Sequence, residues 1–275
     1  MKKWLLIPAV SLMALSACGS NEEGSSETTD ADEPEQTEDN ETVDDDQEDE
    51  EENEALDEEP EREEVEIDYE INPAMWTVEP IEGTEADPEV VLLTIDDAPD
   101  KHGVEMAETL KELDAPAIFF VNGHFINTDE KAEQLVQIHE MGFEIGNHTM
   151  SHPNLGEISE EQQREEIVGL NDRIEEIIGE RPRFFRAPFG VNTDFTKEIV
   201  EEEGMTLMNW TYGYDWDSNY MTAESIADIM VNAPELGNGG NLLMHDREWT
   251  NEGLEEIVNG LRDKGYGLLN PAQLK

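Results

Sequence analysis

Val90-Val91-Leu92-Leu93-Thr94-Ile95-Asp96-Asp97 is an unbroken apolar and β-branched run that ends on two adjacent carboxylates. A strand buried on both faces of a parallel sheet needs a run of this kind. Comparable short runs recur at 117–121, 143–146, 184–186, 206–210, 241–245 and 266–269. Stretches with helical spacing of apolar residues separate them, at 104–113, 129–141, 159–178, 193–203, 222–231 and 252–264. Thr128 and Ser159, the latter with Gln162 three residues on, are the capping residues expected at helix starts, and Gly142, Gly204 and Gly265 are placed to end helices. Seven strands alternating with six helices predict a parallel α/β domain, either a barrel or a doubly wound sheet.

The polar residues that interrupt these runs share a position. Asp96 and Asp97 follow the first run, and His148 and His152 follow the third. Arg186 ends the fourth, Asp215 follows the fifth and His245 ends the sixth. All fall at the C-terminal ends of predicted strands, the edge on which α/β barrels and sheets build their active sites. A core histidine or a surface carboxylate explains any one of them alone, but not seven on one edge.

His148-Thr149-Met150-Ser151-His152 spaces two imidazoles by four residues. If the segment turns helically, both can reach one ion. Two imidazoles and one carboxylate, Asp97 being the best placed, make a three-ligand site that leaves a coordination position open, as in catalytic zinc centres. The metalloprotease helix is excluded, because no Glu follows the first His and Pro153 directly follows the second.

The first seventy residues read differently. Lys2 and Lys3 precede a short apolar stretch, and Leu15-Ser16-Ala17-Cys18 follows it. This resembles a bacterial lipobox, which makes residues 1–17 a signal peptide and Cys18, the only cysteine, a lipidation site. Between residues 19 and 70 stand 28 acidic residues against one basic residue, Arg62. So acidic and apolar-poor a segment is expected to be a disordered tether, so residues 18–70 are assigned as the lipidated N-terminus and linker. Residues 71–87 form a lead-in to a catalytic domain at 88–275. The formal net charge of −54 argues against a nucleic-acid partner. The expected partners are the membrane, through the lipid at Cys18, and a substrate. The expected state is a monomer on the extracellular face of the cytoplasmic membrane.

Thr94-Ile95-Asp96-Asp97, His148-Thr149-x-x-His152, Arg186-Ala187-Pro188-Phe189-Gly190 and Leu243-Met244-His245 occur in the order found in polysaccharide deacetylases. The chain thus resembles the NodB homology domain, carbohydrate esterase family 4, over roughly residues 90–269. The resemblance implies a distorted (β/α)7 barrel. It implies a divalent metal ion, zinc or alternatively cobalt, held by Asp97, His148 and His152. Asp96 would be the general base, held ionised by Arg186, and His245 the acid that protonates the leaving amine. Phe189 would stabilise the oxyanion through its backbone N–H, Leu243 would line the acetate pocket, and Trp210 would lie at the substrate. Two departures stand out. Ala98-Pro99 replaces the usual Gly-Pro, and Trp210 to Asp215 is one residue shorter than the family spacing, with Gly213 where another Asp is common. Asp215, or alternatively Asp217, would tune His245.

The implied activity is removal of N-acetyl groups from an acetylated polysaccharide, with peptidoglycan amino sugars as the leading substrate. The alternatives are an esterase acting on O-acetyl groups of xylan or wall sugars, and a non-catalytic lipoprotein that binds sugar or cations.

Overall fold

The structure is a computed structural model and describes residues 65–275. The signal segment, Cys18 and most of the acidic linker lie outside the described residues. The described chain opens with a hairpin, β1 (Tyr69–Ile71) and β2 (Val78–Pro80), and then alternates strands with helices. These are β3 (Val90–Ala98), α1 (Gly103–Glu112), β4 (Ala117–Val121), α2 (Asp129–Glu140), β5 (Glu144–Asn147), α3 (Glu160–Ile178), β6 (Phe184–Phe185), α4 (Asp194–Glu202), β7 (Thr206–Leu207), α5 (Ala223–Asn232), β8 (Gly240–His245), α6 (Glu248–Asp263) and β9 (Gly267–Leu268). The last seven strands form one parallel sheet in the order β7-β6-β5-β4-β3-β8, with β9 also on β3. The gap between β7 and β8 is spanned just after β7. There the Thr211 N–H donates to the Asn241 carbonyl (2.8 Å) and the Leu243 N–H to the Tyr212 carbonyl (2.9 Å). The sheet is thereby curled into the distorted barrel that the alternation and the family resemblance imply.

The helices begin where side chains can satisfy their free N–H groups. Thr128, Ser159, Thr193 and Thr222 each accept a backbone N–H from the first turn, and Ser159–Gln162 and Thr222–Ser225 complete capping boxes. Strand alternation then sorts the side chains. Val91, Leu93 and Ile95 of β3 point outward to pack with Met106, Leu110, Ile138 and Leu261 of the surrounding helices. Leu92 points inward to a cluster with Ile118, Phe120, Phe184 and Met208. Continuing inward up the strands with period two brings Thr94 and Asp96 on β3, Arg186 after β6, and Leu243 and His245 on β8 towards the C-terminal mouth, with Asn241 below them level with Leu92. The barrel is therefore apolar below and polar above.

The hairpin straddles the boundary that the sequence places at residue 70. Tyr69 and Val78 are buried in the same interior cluster as Leu92 and Phe120. The Tyr69 hydroxyl donates to the Asp87 carbonyl (3.0 Å), and the Lys275 N–H donates to the Tyr69 carbonyl (2.9 Å). The lead-in thus closes the barrel bottom and ties the start of the described chain to its end. Burial of one tyrosine and one valine there is worth about 3–5 kcal/mol as an upper figure.

Candidate active site

Five of the seven residues singled out at strand ends line one cleft of about 330 Å3, and the other two, Arg186 and Asp215, are buried behind it against Asp96 and His245. The cleft is lined by Asp96, Asp97, His148, His152, Phe189, Trp210, Trp216, Leu243, His245 and Arg247. On one wall, Asp97 Oδ1 stands 4.0 Å from His148 Nε2 and 3.6 Å from His152 Nε2. Among the described residues these three form the one group of histidine and acidic side chains whose ligand atoms lie within 4.8 Å of one another. The separations are too long for hydrogen bonds. Ligand atoms sharing a tetrahedral ion at ordinary zinc bond lengths stand roughly 3.4 Å apart, so the donor set fits a small divalent cation. His148 Nδ1 lies 2.7 Å from the Arg186 carbonyl oxygen, so this nitrogen carries the proton and Nε2 is left as the ligand atom.

The histidine segment does not turn helically as its spacing allowed. Thr149 and His152 have left-handed backbone, with φ of 70° and 59°, and Asp97 has φ of 61°. Such backbone is costly for residues other than glycine and persists only where the surroundings over-determine it. In the histidine segment the surroundings do so. Asn122 Nδ2 donates to the His148 carbonyl (2.5 Å), Asn147 Oδ1 accepts the Thr149 N–H (2.9 Å), and Thr149 Oγ1 accepts the His152 N–H (3.1 Å). Asn122 and Asn147 carry no motif role in the sequence reading, although each stands directly at the end of a strand.

Asp96 is buried beside this wall. Its Oδ1 accepts from Arg186 Nη1 (2.7 Å), and its Oδ2 lies 3.6 Å from His148 Nε2. Arg186 is wholly buried and also donates to Thr94 Oγ1 (2.7 Å), the Asn209 carbonyl (2.9 Å) and Asn241 Oδ1 (3.1 Å), while its guanidinium lies 4.3 Å over the Phe120 ring. Burial draws the Arg186 pKa down, and the charge and hydrogen bond of Asp96 oppose this. Guanidinium stays protonated under such conditions. Burial likewise pulls the His148 pKa down, against the attraction of Asp96 and Asp97, which keeps the imidazole in the neutral form that a metal ligand requires.

The opposite wall is His245. Its Nδ1 lies 2.7 Å from Asp215 Oδ1, and its backbone N–H donates to Asp215 Oδ2 (2.6 Å). Burial would lower the His245 pKa, but the hydrogen bond and charge of Asp215, with Asp96 and Asp97 behind, raise it. Of the two acids the sequence left open, Asp215 is the one at the histidine. The Asp217 carboxylate is instead turned to its own loop, where it accepts the Asn219 N–H (2.9 Å). Gly213 has a steric reason to replace an acid: any Cβ there would collide with the Leu243 carbonyl oxygen, where this segment lies against β8.

Leu243 and Trp210 line the cleft, and Phe189, with left-handed φ of 58°, is exposed at its rim and packs edge-on against His152. Two further lining residues have no role in the sequence reading. Trp216 stands edge-on to His245 at 5.9 Å, and Arg247 Nη2 lies 3.5 Å from Asp97 Oδ2. Asp246 is buried and accepts the N–H groups of Asp100 (2.8 Å), Lys101 (3.1 Å) and His102 (2.6 Å), latching the loop that follows Asp97. His102 and His124 remain outside the ligand group: the first pairs with Glu105 and the second packs on Phe125.

Comparison with known proteins places this geometry. The polysaccharide deacetylase family model matches residues 83–208. The peptidoglycan-N-acetylmuramic acid deacetylase PdaC of Bacillus subtilis is 33% identical over 190 residues, 68% of this chain and 38% of PdaC. Its solved structure aligns with a TM-score of 0.60 at 31% identity, covering 68% of this chain and 91% of that one. A peptidoglycan-N-acetylglucosamine deacetylase of Bacillus cereus is 31% identical over 192 residues, 64% of this chain and 67% of that protein. A family 4 pseudoenzyme from Bacillus anthracis aligns with a TM-score of 0.61 at 26% identity, covering 68% of this chain and 66% of that one. The chain spans half the length or less of several curated relatives. Fold alone does not make a member of this group an enzyme, so the side chains in the cleft carry the functional argument. The chain belongs to the polysaccharide deacetylase family, carbohydrate esterase family 4.

Proposed function

We propose that the protein removes N-acetyl groups from an extracellular polysaccharide, with peptidoglycan amino sugars as the leading substrate. One observation carries this reading: a metal-competent triad, a buried carboxylate held by arginine and a histidine–aspartate pair face one another across a single cleft. Asp97, His148 and His152 would hold a divalent ion, zinc or cobalt, whose chemistry when bound is to polarise the acetyl carbonyl and acidify a neighbouring water. Asp96 acts as the base. Its Oδ1 is committed to Arg186, and Oδ2 is left to take the proton of the attacking water. Arg186 orients that carboxylate and balances its charge through the buried contact at 2.7 Å.

His245 supplies the proton that the leaving amine needs. Asp215 fixes its Nδ1–H, so Nε2 faces the cleft, and it stabilises the imidazolium form. The Phe189 backbone N–H serves the developing oxyanion, Leu243 bounds the methyl pocket, and Trp210 lies beside the sugar. The peptidoglycan deacetylases among the relatives support an amide as the bond cleaved, and the xylan deacetylase of Cellvibrio japonicus supports the ester alternative. The test is acetate release from a panel of N- and O-acetylated polymers, before and after chelation and with zinc or cobalt added back. N-acetylated peptidoglycan fragments should release acetate in a metal-dependent way. Release from O-acetyl xylan alone would favour the esterase reading, and release from none would favour a sugar-binding surface protein.

The proposed location is the outer face of the cytoplasmic membrane, with the protein a monomer anchored through diacylated Cys18. Sequence supports this: a lone cysteine at a lipobox has no disulfide partner. Two acyl chains give stable anchoring, and the acidic linker adds no attraction to anionic lipid. Cys18→Ser should move the protein to the soluble fraction without changing its activity. A wild type that takes up no labelled fatty acid would contradict the anchor.

A further inference from the structure

Asp215 lies in a loop without regular structure and is wholly buried. Two of the hydrogen bonds to its carboxylate come from His245 itself: Nδ1 to Oδ1 and the backbone N–H to Oδ2. Those bonds cannot fix Asp215 independently of the residue it orients. Two others can. The hydroxyl of buried Thr250 donates to Asp215 Oδ2 (2.9 Å), and the indole N–H of Trp249 donates to the Asp215 backbone carbonyl (2.9 Å). Both donors stand in the first turn of α6, which starts at Glu248 and not at 252 as its periodicity predicts.

We propose that Thr250 and Trp249 are positioning residues for the proton-donating His245, acting through Asp215. The proposal rests on the reading of His245 as the acid. Thr250 fixes the carboxylate plane in the frame of α6, and Trp249 fixes the loop backbone that carries it. A buried carboxylate is costly unless its oxygens are satisfied by donors. Here the donor on Oδ2 that does not belong to His245 also stops the carboxylate from rotating together with the imidazole. Neither residue is among those that line the cleft, so neither is expected to contribute to substrate binding.

The experiment compares Thr250→Val, Thr250→Ser and Trp249→Phe in the full chain. The readouts are kcat and KM on an N-acetylated oligosaccharide and solvent exchange of the His245 Nδ1 proton in 15N-histidine-labelled protein. Thr250→Val should lower kcat by about tenfold, the scale of one hydrogen bond to a charged group, leave KM unchanged and speed Nδ1 exchange. Thr250→Ser should stay within about twofold of wild type on both readouts, because it keeps the hydroxyl. If Thr250→Val does not fold, Trp249→Phe carries the test, with a smaller fall in kcat and faster exchange. Unchanged exchange in the folded variants, a loss confined to KM, or a serine variant as impaired as the valine variant overturns the proposal. If wild type itself releases no acetate, the deacetylase reading fails, and the exchange arm still decides whether α6 holds the pair.

Discussion

On one wall of the cleft, Asp97 stands 3.6 and 4.0 Å from His152 and His148, and both Asp97 and His152 have left-handed backbone. On the other, His245 and Asp215 are joined at 2.6 and 2.7 Å, and Asp215 is wholly buried. The first wall is held by the backbone: Asn122, Asn147 and Thr149 bind main-chain groups and leave the ligand atoms uncommitted. The second is held by the side chains, which satisfy one another. A ligand must keep its lone pairs for an ion, whereas an acid must have its partner in place before the substrate arrives. The two walls therefore respond differently when disturbed.

The largest effect falls on the ligand wall. His152→Ala should lose the ion and reduce turnover to background. Its thermal midpoint should change by only a few degrees, because His152 is partly exposed and its surroundings are loop. Metal analysis with thermal denaturation checks both. A variant that kept metal and activity would break the comparison at its first term.

Arg186→Met comes next and acts chiefly on stability. It leaves Asp96 buried without its cation and strips a donor from Thr94, Asn241 and the Asn209 carbonyl. Breaking a buried pair in this way costs about 3–5 kcal/mol, readable as a shift in the urea midpoint at constant m.

Asp215→Asn should lower kcat by one to two orders of magnitude and move the alkaline limb of the rate profile to lower pH. His245 must be protonated to act, and its pKa is raised because Asp215, with Asp96 and Asp97, outweighs the lowering by burial. Activity is thus present below that raised pKa and lost as pH climbs through it. Removing the Asp215 charge lowers the pKa, so the loss begins earlier. The same raised pKa gives protonated His245 a stabilising contribution, complete below the ordinary histidine value of about 6.5 and lost as pH rises through the folded value. An alkaline limb unmoved in Asp215→Asn would assign the acid role elsewhere.

The smallest effect is expected at the rim. The Phe189 ring is largely exposed, and the chemistry proposed for this residue lies in its N–H. Phe189→Ala should therefore change kcat by no more than about threefold, and any larger change should appear in KM.

The sequence announces the chemistry better than the shape that delivers it. Unbroken apolar runs that end in polar residues put Asp96 at the end of the β3 run and His245 at the end of β8, so the convergence of these residues was legible. The left-handed turns at Asp97 and His152 were not, because nothing in their side chains calls for φ near 60°. At His152 the turn is held by the Thr149 hydroxyl, and the Thr149 N–H is in turn fixed by Asn147 at the end of β5. The hairpin at Tyr69–Ile71 and Val78–Pro80 was masked by the acidic stretch that runs into it, and its strands are three residues each, too short for periodicity to register. The early start of α6 was hidden because Thr250, which stands on the buried face of that helix with Leu254 and Ile257, is polar and so does not register as part of an apolar stripe.

Metal content and turnover of Asp96→Asn and Asp97→Asn, measured side by side, test the central division of labour most directly. Asp97 reaches both histidines, while Asp96 has one oxygen committed to Arg186. The account therefore predicts that Asp96→Asn binds a full equivalent of metal and fails to release acetate, and that Asp97→Asn is metal-poor. A metal-free Asp96→Asn beside a metal-replete Asp97→Asn would contradict it and exchange the roles of the two aspartates.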